Sequence, residues 1–357
     1  MTVLKKYLDK LFHAFGPSGC EEAVADVIRE IGTPLCPSCR TDRAGNVIFT
    51  YEPSVTDQNA KTVMISAHMD EVGFMINEID DDGYLHFSAL GDIDPRVLCG
   101  RNVQIVHEGT CIMGVIASKA IHHQTAEERA KITEVDDMYI DIGAEKREEA
   151  EKRVSIGDFG TFFHPCLGVF GENGRYYAGK ALDNRAGCAA MLSVMRRLFE
   201  GDLSSPHRLC FCFTVRGEAG PSGAGLAADF VRPDVAFVVD AAVAADLPGV
   251  SETLKISSLG DGCVLAYADE KVLYTESLVN TASKLANENG ITVQIKGKTL
   301  GGRDASEIQR RRIGVKTISL CTPVRYAHAE LSVLCVKDLE QTAMLLGALV
   351  AAPFEET

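Results

Sequence analysis

At 357 residues the chain is longer than one hydrophobic core usually organises, so two folding units are expected. Hydrophobic residues make up 46% and charged residues 24%, the balance of a globular protein with a large interior and not of a disordered chain. A formal net charge of −14 gives an acidic surface, which argues against a phosphate backbone as partner and removes nucleic acid from the expected ligands.

The first segment places Val3, Leu4, Tyr7, Leu8, Leu11, Phe12 and Phe15 at helical spacing, interrupted by Lys5, Lys6, Asp9 and Lys10. This is the pattern of an amphipathic helix, not the continuous apolar centre of a signal peptide. Gly16-Pro17-Ser18-Gly19 breaks it, and helical spacing resumes over residues 21–31. Cys36-Pro37-Ser38-Cys39 is a lone C-x-x-C without a second pair, weak grounds for zinc or redox chemistry. The 12 cysteines lack a framework spacing and suit a reducing compartment. No apolar run approaches the roughly 20 residues of a membrane span, so the expected location is the cytoplasm, with no membrane partner.

Residues 46–51 and 62–67 are short β-prone runs, the second apolar enough to lie inside a sheet, and it ends at His68. Over residues 72–164 the texture becomes short alternating segments separated by Gly and Asp, as in all-β proteins. From Lys180 onward helical patterns alternate with buried strands: a helix over 184–199, a strand over 209–215, a helix over 224–230. The expected fold class is α/β, a mixed sheet sandwiched by helices and built from residues 1–71 and 165–357, with a small β domain, residues 72–164, inserted into it.

Five potential ligands each follow a predicted strand end or a sharp turn: His68, Asp183, Glu218, Asp240 and His328. In open α/β sheets, sites form beyond the carboxyl ends of the strands, so residues far apart in sequence can converge there. Alternation along His68-Met69-Asp70 puts the imidazole and the Asp70 carboxylate on one side, where the carboxylate can orient the ring. Taken singly, each residue has a plain structural reading. His68-Asp70 is then a surface pair, Asp183 a helix cap, Glu218 part of a glycine-rich turn and His328 a loop histidine. Asp240 leaves a buried strand, where an uncompensated carboxylate is costly. Together, two imidazoles and three carboxylates suit two borderline divalent ions such as zinc or cobalt, one carboxylate bridging them. Such a pair, about 3.5 to 4 Å apart, is hydrolytic machinery.

These segments, with Phe15-Gly16-Pro17-Ser18-Gly19, Gly114-Val115-Ile116-Ala117-Ser118-Lys119, Asp141-Ile142-Gly143-Ala144 and Gly301-Gly302-Arg303-Asp304-Ala305, resemble the cocatalytic aminopeptidase family. That family includes glutamyl, leucyl, deblocking and tetrahedral aminopeptidases, and the resemblance covers nearly the whole chain. It implies His68 and Asp240 on one metal, Glu218 and His328 on the other, and Asp183 between them. It further implies removal of N-terminal residues from short peptides, and a barrel-like oligomerisation domain at 72–164 that helps build homo-oligomers, often dodecamers.

The resemblance also exposes a departure. Relatives carry two adjacent glutamates in the third segment, the first a general base and the second a ligand, whereas this chain reads Gly217-Glu218. The site is one carboxylate short, and a positioned base is worth roughly 10² to 10⁴ in rate. Metal binding with weak turnover is therefore expected, unless Glu71 reaches the site, against which alternation counts. If the missing carboxylate were the only defect, Gly217→Glu would restore activity. Arg303 stands where relatives carry a small or hydroxyl residue; beside Asp304 it implies either a cation near the substrate or a solvated loop arginine. A metal-binding homologue that serves as an assembly subunit or peptide-binding protein is the alternative reading. Glycan hydrolysis ranks below both, because the chain has no tryptophan to stack on sugars.

Overall fold

The computed structural model describes residues 3–53, 60–164, 167–220, 222–251, 255–299 and 301–353, with the side chain of Arg303 outside the described set. Among these residues an 11-stranded mixed sheet forms the body of the molecule. From one edge its path runs through Cys39–Thr41, Val47–Tyr51, Arg208–Thr214, Thr62–His68, Val235–Val243, Lys316–Arg325, Ser332–Cys335, Tyr176–Gly179 and Gly168–Phe170. Its central four strands, from Arg208–Thr214 to Lys316–Arg325, are parallel. They are apolar almost throughout, as strands buried on both faces must be: Val63, Ile65, Phe211, Phe213, Phe237 and Ile318 are inaccessible to solvent.

Helices cover the sheet in two sets. Leu182–Phe199 packs on the central strands and is itself covered by Val3–Phe12 and Val336–Ala351. Its small residues Ala186, Gly187, Ala189 and Ala190 let it lie close against the sheet, and almost its whole length is buried. Ser222–Val231 and Arg303–Gln309 pack together against the same strands. Val3–Phe12 buries Leu4, Leu8, Leu11 and Phe12 on one stripe, the amphipathic pattern of its sequence. No helix among the described residues is long and apolar enough to cross a membrane.

Six strands between Gly73 and Phe162 close a separate barrel, in the order Gly73–Ile79, Leu85–Leu90, Met138–Asp141, Thr110–Ser118, Asn102–His107, Phe159–Phe162. Its interior is a distinct core in which Phe74 meets Phe87 and Phe162 edge-on at centroid distances of 5.1 and 5.3 Å. The expected all-β texture is interrupted by two single-turn helices, Ala126–Arg129 and Arg147–Ala150. The first exists because Thr125 and Glu128 form a capping box, a local signal that outweighs the strand pattern around it.

Candidate metal centre

The parallel register aligns the strand ends that carry the candidate ligands. Thr214 sits beside His68, and Asp240 beside Cys321. His68 ends its strand, Glu218 follows the Arg208–Thr214 strand by a short loop, and His328 lies in the turn after Lys316–Arg325, with φ of 61°. Asp183 falls at the start of Leu182–Phe199, where φ of −85° and ψ of 104° keep it off the helical path. It therefore does not cap that helix; Ala181, in the left-handed region, holds the cap position.

Around one point at this edge, His68 Nε2 lies 3.2 Å from Asp183 Oδ1 and 3.7 Å from Asp240 Oδ1. His328 Nε2 lies 3.5 Å from Asp183 Oδ2 and 3.2 Å from Glu218 Oε2. Ligand atoms of His68, Asp183 and Glu218 all fall within 4.8 Å of one another. The structure thus brings all five residues together, with Asp183 turned so that each carboxylate oxygen faces a different imidazole. Of the outer nitrogens, His328 Nδ1 is held at 2.7 Å by the Asp92 carbonyl oxygen, and His68 Nδ1 faces Asp70 Oδ1 at 3.3 Å without hydrogen-bond geometry.

Burial by itself would lower both imidazole pKa values, but the carboxylates outweigh it. His68 is raised well above its ordinary value by Asp183, Asp240 and Asp70, and His328 is pushed up to about 11 by Asp183 and Glu218. Asp183 moves the other way: despite burial, the two imidazoles lower it. Glu218 is raised by burial and by the neighbouring Asp183 charge. So many acidic groups in one buried place need cations, and in the metal-free chain protons on the two histidines serve.

Asp70 is fully buried and is fixed from several sides. Gly217 N donates to Oδ1 at 2.8 Å, Glu218 N donates to Oδ2 at 3.0 Å, and the Ser18 hydroxyl also donates to Oδ2. Its pKa is lowered although burial pushes it up, because His68, Ser18 and the Glu218 amide favour the charged form. The turn Gly16-Pro17-Ser18-Gly19, a break in helical spacing and a motif of the resemblance, thus has a role in holding the site.

Glu71 is engaged elsewhere. Lys180 Nζ donates to its Oε1 at 2.5 Å, Arg185 Nη2 reaches the same oxygen at 3.3 Å, and the Thr161 hydroxyl donates to Oε2 at 3.0 Å. All of these side chains are buried, and sequence spacing does not single out Lys180, Arg185 or Thr161. Burial lowers the Lys180 pKa, with the Glu71 charge opposing.

A cavity of about 250 Å³ opens beside the cluster. Its lining includes Asp304, which accepts a hydrogen bond from Thr214 Oγ1 at 3.2 Å and whose pKa burial raises to about 7. It also includes a buried ion pair, Lys296 with Asp269, to which Tyr274 adds a hydroxyl hydrogen bond of 2.7 Å. The expectation for the Arg303 side chain lies outside the described residues.

Residues 45–345 match the family described as M42 glutamyl aminopeptidase. A putative aminopeptidase of Acetivibrio thermocellus is 32% identical over 95% of this chain and 96% of its own. Among solved structures, a TET aminopeptidase from a marine-sediment Thaumarchaeota archaeon superposes with a TM-score of 0.92 at 32% identity, covering 97% of this chain and 95% of that one. The TET1 peptidase of Pyrococcus horikoshii, which can assemble into a tetrahedron or a large octahedral shell, superposes with a TM-score of 0.84 at 32% identity, covering 98% and 99%.

Proposed function

The chain belongs to the M42 glutamyl aminopeptidase family and is a metal-dependent aminopeptidase, and from that premise we propose that it holds two divalent ions, zinc or cobalt. In this reading His68 and Asp240 would hold one ion, Glu218 and His328 the other, and Asp183, which faces both imidazoles, would serve both. The observation that carries it is the orientation of Asp183, one oxygen toward each imidazole at 3.2 and 3.5 Å. Asp183 Oδ1 is buried and accepts no hydrogen bond, as expected of an oxygen shaped for a cation. Nitrogen and oxygen donors in this mixture suit zinc or cobalt better than magnesium.

Bound ions of this kind polarise a peptide carbonyl and acidify water. The protein's own groups supply the rest. Asp70 fixes the His68 ring so that Nε2 faces Asp183 and Asp240, and the Asp92 carbonyl does the same for His328. The acidic wall beside the site, including Asp304, is proposed to receive the N-terminal residue of a short peptide, with Arg303, its neighbour in the chain, proposed as a further substrate contact. Carboxylates there suit its protonated α-amino group.

Gly217 is proposed to occupy the place of the general base, so turnover is expected to be slow, or lost in a homologue that binds metal and peptide only. Glu71, held by Lys180, Arg185 and Thr161, is not offered as its replacement. Assembly into a closed homo-oligomeric shell, a dodecamer included, is proposed by likeness to the Pyrococcus horikoshii TET1 peptidase, with the barrel as the assembling part. A cytoplasmic location is proposed on the free state of the described cysteines.

The test is hydrolysis of a panel of aminoacyl anilides by chelator-treated protein with zinc or cobalt restored. Metal-dependent release supports the reading; silence across residues and metals rejects the active enzyme and leaves the impaired homologue. Failure to bind either metal rejects both.

A further inference from the structure

The loop that carries Gly217 is held by side chains along its whole length. Five consecutive backbone N–H groups donate to side-chain oxygens: Val215 to Asn46 Oδ1, Arg216 to Glu21 Oε1, Gly217 and Glu218 to Asp70, and Ala219 to Ser18 Oγ, at 2.8 to 3.2 Å. Arg216 enters the loop with φ of 59°, a left-handed conformation that a non-glycine residue adopts only when its surroundings impose it. The backbone is therefore fixed from the side of the N-terminal segment.

The loop also packs closely against the His68 side chain. A Cβ placed on Gly217 would stand 2.4 Å from His68 Cγ, 2.5 Å from its Cβ and 2.8 Å from Nδ1. The neighbour cannot give way freely, because His68 belongs to the central strand and its ring is set between Asp70, Asp183 and Asp240. Both surfaces that meet at Gly217 are thus immobilised, one by amide hydrogen bonds and the other by the cluster itself.

We infer that Gly217 is a positioning residue whose missing side chain is required: its bare Cα seats the loop on His68 while its amide grips Asp70. Two backbone donors of the loop, Gly217 N and Glu218 N, hold the carboxylate that lies beside His68. A glutamate put back at this position pushes the imidazole out of place before it can act on water. The metal-site part of this inference rests on the proposed function; the packing part does not.

The experiment is a double-mutant cycle on the metal-free, full-length protein, read by melting temperature. Gly217→Ala is expected to lower the midpoint by about 3 °C or more where His68 is present, and by no more than about 1 °C in the His68→Gly background, which lacks the Cβ as well as the ring. Equal shifts in the two backgrounds, or none in either, overturn the inference. A second arm titrates zinc into wild type and Gly217→Glu by calorimetry. An affinity loss of about tenfold or more in the variant is expected, and zinc binding as tight as wild type overturns the metal-site part. Wild type that takes up no zinc would reject the proposed function instead, while the melting cycle would still decide the packing.

Discussion

Thr161 Oγ1, on the last strand of the barrel, donates a 3.0 Å hydrogen bond to Glu71 Oε2, two residues before the first barrel strand begins. Glu71 in turn receives Lys180 and Arg185, so one buried carboxylate ties the barrel, the helix Leu182–Phe199 and the end of the His68 strand together. Removing its charge leaves two cations buried with less compensation. Glu71→Gln is expected to cost about 3 to 5 kcal/mol of stability. Urea unfolding measures it, and a loss under about 1 kcal/mol would mean the network is not the tie described.

Metal stoichiometry checks the division of ligands. His328→Ala is expected to leave about one equivalent of tightly held zinc, and Asp183→Asn to weaken both sites, because its carboxylate faces both histidines. Elemental analysis after gel filtration reads this directly. Equal retention by the two variants would assign Asp183 to a single ion.

Asp70 touches no proposed ion but orients His68. Asp70→Asn keeps the shape and removes the charge, and a 10- to 100-fold loss of zinc affinity is expected. Calorimetric titration against wild type decides it; unchanged affinity would reduce Asp70 to a packing role.

The pH dependence follows from the histidines. In the metal-free chain both have raised pKa values, that of His328 about 11, so their protonated forms stabilise the fold. This contribution is complete below the unfolded-state pKa of about 6.5 and is lost as pH rises through the folded-state value. The chelated protein should therefore lose stability from neutral pH toward 11, and the metal-loaded protein much less. Zinc must displace those protons, so its affinity should rise with pH and its binding should release protons. Titrations in buffers of different ionisation enthalpy count the protons, and a count of zero would contradict the electrostatics above.

Much of the architecture is legible in the residues, because buried parallel strands and amphipathic helices leave strong local patterns. Residues 62–67 read as an interior strand, and the structure has Thr62–His68. The helix read over 184–199 appears as Leu182–Phe199, regular only beyond Asn184. The position of Asp183 shows where local patterns stop informing: its extended backbone and its orientation between two imidazoles depend on strands 115 or more residues away in sequence. Gly217 shows the same limit from the other direction. By resemblance the sequence marks it as a place expected to carry a carboxylate; the structure adds that a Cβ there would stand 2.4 Å from His68 Cγ, a closeness the residues around it do not encode. Ser18 and Glu21, which hold the loop after Thr214, sit in a turn and at a helix start that spacing describes only as punctuation.

The first and last barrel strands are hydrogen-bonded to each other, Phe74 opposite Gly160 and Met75 opposite Phe159. The polypeptide enters and leaves the barrel one strand spacing apart, about 4.8 Å. To the host, this excursion of many residues has the footprint of a hairpin, so its length imposes little constraint on how the surrounding layers close. A short connection between Val72 and Phe163 is thus geometrically admissible, and what an exchange of the barrel would remove from the host is the Thr161 hydroxyl on Glu71 and the Asp92 carbonyl on His328.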